Sequence, residues 1–160
     1  MSAAALVAAA AATHQTLSDL EAVLRAVADA DLHRADPDGG WTVAQIVSHI
    51  HLSGLLWIAD LERLRHRPAL FMFREELGHD ALGAPPPTSA EAADRLASLR
   101  LALDDCLPAA DPAALDKALE VPPFGTLTAG AMLQPIAGHL LAHANQIRAI
   151  LGKRGVSVAG

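Results

Sequence analysis

Apolar residues recur every three or four positions in four segments of the chain, and this spacing predicts four amphipathic helices. The predicted helices cover about residues 4–29, Thr42 to Arg67, Thr88 to Pro108, and Thr128 to Gly152. Their apolar stripes consist of Leu17, Leu20, Leu24 and Val27; Val43, Ile46, Val47, Ile50, Trp57, Ile58, Leu61 and Leu64; Leu96, Leu99, Leu103 and Cys106; and Leu133, Ile136, Leu140, Ala144, Ile147 and Leu151. Each stripe must be buried against another element, so the four helices are expected to share one core.

Polar residues and helix breakers indicate where these helices begin and how they pack. Thr42 is the expected N-cap of the second helix. Thr88 and Glu91 are spaced as a capping box, in which each side chain reaches the backbone amide of the other residue. Pro135 lies inside the fourth segment, so it either kinks that helix or marks its true first turn. Gly54 lies on the apolar face of the second helix, where the missing side chain would let a neighbouring helix approach closely.

Two long connectors, residues 68–87 and 108–127, separate the second, third and fourth predicted helices. Connections in helical bundles are usually short, and long ones are often functional, for example as lids. We therefore predict an all-α fold, a four-helix bundle with long connectors. The 160 residues are expected to form a single domain over residues 1–160, with its core at about 4–152.

Composition supports this fold class and excludes several functions. The chain is 52% hydrophobic but only 3% aromatic and has no Tyr, which favours helix over sheet. The formal charge is −6 and no basic cluster is present, so nucleic acid is not an expected partner. No apolar run has the length that crosses a membrane, so no membrane partner is expected. Ten of the twelve basic residues are Arg, and alanine is abundant, which indicates a GC-rich bacterial genome.

The cysteine count and the first residues bear on the location of the protein. Cys106 is the only cysteine, so no internal disulfide can form, which fits a reducing cytoplasm. The stretch Met1–Thr13 is rich in alanine but lacks the positive charge of a signal peptide, and we interpret it as the first turns of a helix. We therefore expect a cytoplasmic protein.

The residues that could carry chemistry are histidines. His139 and His143 are spaced i, i+4, so on a helix both imidazoles leave the same side one turn apart. They flank the apolar stripe of the fourth helix. They could be ordinary border histidines bonded to neighbours or water, or they could share a divalent metal ion. The segment between them lacks the glutamate of the HExxH motif, so peptide hydrolysis by that route is not supported.

A third histidine is expected from the second helix, where His49 and His51 are both candidates. They diverge by about 200° around a helix, so they cannot both face one metal ion. His51 borders the main apolar face, and His49 shares its side with Leu52 and Leu56. Periodicity alone does not choose between the two histidines.

The sequence resembles the DinB-like superfamily, which includes the YfiT-type metal proteins and the bacillithiol and mycothiol S-transferases. The resemblance is carried by two segments, Trp41-Thr-Val-Ala-Gln-Ile-Val-Ser-His49-Ile and His139-Leu-Leu-Ala-His143-Ala-Asn-Gln-Ile. In that family a Trp begins the second helix, the first metal ligand follows eight residues later, and a late HxxxH supplies the other two. The resemblance covers about residues 4–152 and implies a four-helix bundle with His49, His139 and His143 as ligands of a divalent metal at one end.

The resemblance also implies a class of function. It favours a divalent-metal-dependent enzyme, with thiol S-transfer to a small electrophile as the leading hypothesis. The metal would be Zn, Ni or Fe, and the thiol would be a low-molecular-weight cosubstrate. The alternatives are a non-catalytic, stress-associated metal-binding protein and a metal-dependent hydrolase. A small-molecule substrate is expected, a homodimer is compatible with the sequence, and catalytic residues beyond the metal ligands are not identified.

A few other residues are candidates for roles at or near this site. His14 could be a fourth ligand, although a surface histidine is the more ordinary interpretation. His79, in the first connector, could gate the site or simply be solvated. Gln146 lies one turn after His143 and could orient a ligand or belong to a polar rim. Cys106, on the apolar stripe of the third helix, is expected to be a small core residue rather than a nucleophile.

Overall fold

The structure is a computed structural model, and it describes residues 3–36, 38–66, 83–106, 118–121, 125–128, 131 and 133–156. The elements are α1 (Ala3–Ala26), α2 (Asp29–His33), α3 (Val43–His66), α4 (Ser89–Cys106), β1 (Ala118–Val121), β2 (Gly125–Thr128) and α5 (Leu133–Lys153). The long helices α1, α3, α4 and α5 correspond to the four predicted ones, and they form the predicted four-helix bundle. None of the helices among the described residues has the length and apolar character that would let it cross a membrane.

Helices α1 and α3 each pack against both α4 and α5. Each long helix therefore contacts mainly two others. The ion pairs of His14 with Asp104 and of Arg25 with Asp94 show that α1 and α4 are antiparallel. Trp41, just before α3, contacts His143, and Trp57, later in α3, contacts the earlier residue His139. Helices α3 and α5 are therefore also antiparallel. Helices α1 and α3 are the first two long helices in the sequence, separated only by the short α2, but they lie on a diagonal of the bundle.

Most of the core comes from the four predicted stripes, and it also includes Val23, Leu32, Ala44, Ala92, Ala93 and Ile150. The residues of the α1, α4 and α5 stripes whose side chains are described are at most 7% exposed, and in α3 the residues Val43, Ile46, Val47 and Ile50 are fully buried. The second half of the α3 stripe differs, since Trp57 and Ile58 are only partly buried and pack against the core from its border. Among the α3 side chains that the structure describes, the fully buried apolar ones therefore lie in the N-terminal half of the helix.

The N-terminus of α3 is capped more completely than the sequence predicted. Thr42 Oγ1 accepts a hydrogen bond from the Gln45 amide at 3.2 Å, and Gln45 Oε1 accepts one from the Thr42 amide at 2.8 Å. This is a full capping box, and the predicted N-cap at Thr42 is confirmed. In the box predicted at α4, Thr88 Oγ1 accepts from the Glu91 amide at 3.1 Å, but the Glu91 carboxylate binds Arg95 instead of returning to Thr88.

The close approach predicted at Gly54 is present between α3 and α4. A Cβ atom at Gly54 would lie 2.9 Å from Leu99 Cγ and closer still to both of its methyl carbons. Leu99 is 1% exposed, so its side chain has little room to move away. The glycine is therefore required for the observed separation of the two helices.

Two small elements were not predicted. Helix α2, Asp29–His33, begins where the first predicted helix was expected to end, and the residues after 29 were not predicted to be helical. Strands β1 and β2 pair antiparallel within the second connector, with Ala118 opposite Thr128 and Val121 opposite Gly125. The predicted start of the fourth helix at Thr128 was wrong, because Thr128 ends β2 and its Oγ1 accepts a hydrogen bond from the Ala131 amide. Helix α5 begins at Leu133, which places Pro135 in its first turn, where a missing N–H costs no helical hydrogen bond.

Candidate metal centre

His49 is the seventh residue of α3, and its exposed fraction is 3%. Burial of Ile46, Val47 and Ile50 in the core fixes the rotation of α3 about its axis, and this rotation sets which side position 49 occupies. That side faces α5. His51 points elsewhere, since the positive charge near it belongs to Arg95 on α4. The structure thus brings His49, and not His51, beside the histidine pair.

His139 is the seventh residue of α5, and His143 follows one turn later, so both imidazoles face α3. The ring centroids of His139 and His143 are 4.5 Å apart, and His49 lies 5.0 Å from the first ring and 4.9 Å from the second. His49 Nε2 and His139 Nε2 are 3.1 Å apart. One ring nitrogen from each histidine lies within 4.8 Å of the corresponding atoms of the other two. The three residues form one cluster between α3 and α5.

One pair of nitrogens in this cluster, from His49 and His139, has the separation that a metal site needs. Two imidazole nitrogens at about 2.0–2.1 Å from one ion would be about 3.0 Å apart at octahedral angles and about 3.4 Å apart at tetrahedral angles. The measured 3.1 Å between His49 and His139 lies in this interval. The same distance suits an N–H···N hydrogen bond between two neutral imidazoles, so the pair is also satisfied without a metal. The residues present therefore fit a divalent ion bound by three neutral nitrogens.

Both tryptophans of the chain contact this cluster. The Trp41 ring centroid is 4.9 Å from that of His49 and 6.1 Å from that of His143, and it lies nearly parallel to the His143 ring, at 21°. Trp57 meets His139 edge to face, at 5.1 Å. In the sequence Trp41 was notable only for its spacing to His49 in the family resemblance, and Trp57 only as part of the apolar stripe. Its position eight residues after His49, matching Trp41 eight residues before, was a signal that could have found it.

Gln146 contacts one of the three histidines directly. Its Oε1 atom lies 2.9 Å from His143 Nδ1, across one turn of α5. Both side chains are half-buried. The contact is one that the first of the two interpretations of Gln146 requires, since a residue that orients a ligand must touch it.

Other candidates lie away from the cluster. His14 Nδ1 binds both carboxylate oxygens of Asp104, at 2.8 and 3.0 Å, on the α1–α4 side of the bundle. Burial lowers the pKa of His51, and the positive charge of Arg95 lowers it further. Neither histidine belongs to the three-histidine group that the described part of the chain forms. His79 and most of the predicted lid, residues 67–82, lie outside the described residues.

Cys106 is buried, as expected for a core residue, with an exposed fraction of 7%. Its thiol donates a hydrogen bond to Glu62 Oε1 at 3.0 Å, from the end of α4 to α3. Sequence periodicity could not have found this polar partner, because it depends on how α3 and α4 are aligned. The contact places Cys106 in the packing of α4 against α3.

Comparisons with known proteins agree with this fold. One similar structure is that of YfiT from Bacillus subtilis, which is described as a probable metal-dependent hydrolase with an unusual four-helix bundle topology. The TM-score is 0.73 at 16% sequence identity, and the match covers 98% of this chain and 91% of the other. The four-helix bundle protein TT2238 is similar at a TM-score of 0.65 and 25% identity, covering 90% of this chain and 98% of the other. A search of curated proteins gave no match.

The family comparison covers most of the chain. The model of the DinB superfamily matches residues 12–147, a range that includes α3, α4, all three clustered histidines and most of α1 and α5. The match is therefore not confined to the two short segments that carried the resemblance in the sequence. The chain belongs to the DinB superfamily.

Proposed function

We propose that His49, His139 and His143 bind a divalent metal ion and that the protein is a metal-dependent enzyme. The convergence of three imidazole nitrogens within 4.8 Å is the observation that carries this proposal. The three histidine rings come from two helices and contact one another, so they present several nitrogen donors to one point, which suits a metal ion. The metal-dependent activity ascribed to YfiT, whose fold is similar, adds support.

The donor set favours a catalytic rather than a structural site. Structural zinc sites are closed by four protein ligands, whereas catalytic sites keep a position open. The cluster that the described residues form has three ligands and contains no carboxylate. Imidazole suits Zn, Ni and Fe alike, so the donor set does not select one metal. When bound, such an ion would favour the deprotonated form of a thiol or water molecule at the open position.

The leading reaction is transfer of a low-molecular-weight thiol to a small electrophile. The S–C bond forms as the bond from carbon to the leaving group breaks, and the thiol proton departs with the leaving group. The protein needs no cysteine of its own for this reaction, and Cys106 is buried and hydrogen-bonded to Glu62. His139 and His143 are more exposed than His49, so substrates would reach the cluster from their side. Trp41 and Trp57 would provide apolar walls beside it.

Hydrolysis is the second candidate, and the description of YfiT favours it. A hydrolase that activates water usually needs a general base near the attacking oxygen. The three-histidine group contains no carboxylate among the described residues, which is why thiol transfer ranks first. A non-catalytic, stress-associated metal-binding protein remains the alternative that assigns no reaction.

Metal binding can be measured with the two tryptophans, because both contact the cluster and the chain has no others. Adding Ni(II) or Co(II) to metal-free protein should quench their fluorescence, and a chelator should restore it. His49→Ala should weaken binding sharply, whereas His51→Ala, the matched control two positions away, should bind as the wild type does. Equal binding by the wild type and His49→Ala would overturn the ligand assignment.

The reaction can be tested on Co(II)-substituted protein. A thiol that binds the metal should produce a sulfur-to-metal charge-transfer band in the near ultraviolet, and bacillithiol, mycothiol and glutathione are the thiols to compare. Conjugation to a test electrophile should require metal and persist in Cys106→Ala. If no thiol changes the spectrum and metal-dependent ester hydrolysis is seen, the hydrolase is the better assignment. If neither reaction occurs, the enzyme proposal fails.

A further inference from the structure

We infer that Gln146 is a positioning residue that holds His143 in the tautomer and orientation needed for metal binding. The inference rests on the proposed metal site and concerns a residue that is not itself a ligand. It starts from the 2.9 Å contact between Gln146 Oε1 and His143 Nδ1. The two residues are three positions apart on α5, so a helical backbone fixes their relative placement.

The contact determines which nitrogen of His143 is free to bind a metal. An amide oxygen can only accept a hydrogen bond, so His143 Nδ1 carries the proton and donates it. A neutral imidazole has one N–H, which leaves the lone pair on Nε2. Metal-binding histidines commonly donate their other N–H to an oxygen in this way, which fixes the tautomer and raises the basicity of the bound nitrogen.

Two contacts together restrict the His143 ring. The hydrogen bond to Gln146 holds the edge of the ring, and Trp41 covers its face at an interplanar angle of 21°. The backbone beneath it is rigid, because Leu140, Ala144 and Ile147 on the same helix are fully buried. Since Gln146 is half-buried, water competes for the Nδ1 proton less than it would at an exposed site. Removing the amide would free the ring to turn about its side-chain bonds and to change tautomer.

The affinity test uses Gln146→Leu, which removes the acceptor and keeps a good helix former, and Gln146→Glu, which keeps an acceptor. Asn145→Ala is the control at the exposed neighbouring position. By tryptophan quenching, Gln146→Leu should bind Ni(II) about 10–100-fold more weakly, as for other partners that orient metal-binding histidines. Gln146→Glu and Asn145→Ala should bind at least as tightly as the wild type. Gln146→Ala replaces the leucine variant if circular dichroism shows that the latter is misfolded.

A second measurement separates positioning from general packing. In metal-free protein, the nitrogen chemical shifts of the His143 ring report which nitrogen carries the proton. The wild type and Gln146→Glu should show the Nδ1–H tautomer, and Gln146→Leu should show a mixture. An unchanged tautomer in Gln146→Leu would overturn the inference, whether or not its affinity falls. If the wild type binds no metal, the proposed function fails, while the tautomer comparison still decides whether Gln146 orients His143.

Discussion

Replacing Gly54 with alanine tests whether this glycine sets the separation of α3 and α4. The new Cβ would lie 2.9 Å from Leu99 Cγ and closer to both methyl carbons, so Leu99 or the backbone must shift. Overpacking of this kind costs about 1–3 kcal/mol. The substitution also removes the helix penalty of glycine, worth about 1 kcal/mol. The net expectation is a loss of about 0–2 kcal/mol in the free energy of unfolding.

The matched control is Gly138→Ala on α5, where a Cβ would meet no atom within 4 Å. The helix-propensity gain is the same at both positions, so Gly138→Ala should stabilise the protein by about 1 kcal/mol. The difference between the two variants isolates the clash, and we expect it to be about 1–3 kcal/mol. Urea unfolding followed by circular dichroism measures it, with a chelator present so that metal binding does not contribute.

A double-mutant cycle identifies the atoms responsible. Leu99→Ala alone should cost about 2–5 kcal/mol, as expected for a buried leucine. In the Gly54→Ala background the same truncation should cost less, because it also relieves the clash, giving a coupling energy of about 1–3 kcal/mol. If Gly54→Ala and Gly138→Ala are equally stabilising, or if the cycle shows no coupling, the glycine does not determine how closely the helices approach.

Two further predictions concern pH and metal. The Asp29 carboxylate accepts a hydrogen bond from the Ser89 amide at the start of α4, and this hydrogen bond lowers the pKa of Asp29 from the ordinary 3.8. The contribution of Asp29 to stability is therefore present above pH 3.8 and is lost as the pH falls below it. The stability advantage of the wild type over Asp29→Asn should therefore shrink as the pH of urea titrations falls below about 4, and a constant difference would refute this. Free metal at about 100 times its dissociation constant should raise the unfolding free energy by about 2.7 kcal/mol and the melting temperature by roughly 5–11 °C. Chelator-treated protein should remain helical, because the core does not include the metal, and loss of helix on chelation would contradict this.

The helices could be predicted from sequence because their signal is local. Each stripe repeats at helical spacing over several turns, and the observed helices begin and end within a few residues of the predicted limits, except at the start of α5. The hairpin was missed because β1 and β2 are only four residues long, which is too short for alternation to stand out from a connector. The contact of Asp29 with Ser89 was missed for another reason, since it joins residues 60 positions apart.

The histidine cluster shows the limit of periodicity more sharply. Helical spacing placed His139 and His143 on one side of a helix, but it could not choose between His49 and His51. The choice depends on which side of α3 meets α5, and that is a property of the packed bundle. The resemblance to a family supplied this information, and the burial of Ile46, Val47 and Ile50, which fixes the rotation of α3, provides its physical basis in the structure.

The axial alignment of α3 and α5 has a separate cause at the far end of α5. The Arg154 guanidinium donates to the carbonyl oxygen of Asp31 in α2 and to those of Arg34 and Ala35, which follow α2 on the way to α3. Lys153 pairs with the carboxylates of the same segment. Because this segment leads directly into α3, tying it to the end of α5 limits how far the two helices can slide past each other. A shift of one residue would move His49 by about 1.5 Å along the helix axis. Metal–nitrogen bonds are only about 2.0–2.1 Å long, so a shift of this size would take the His49 nitrogen out of bonding distance. The geometry of the cluster is therefore set partly by contacts that lie outside it.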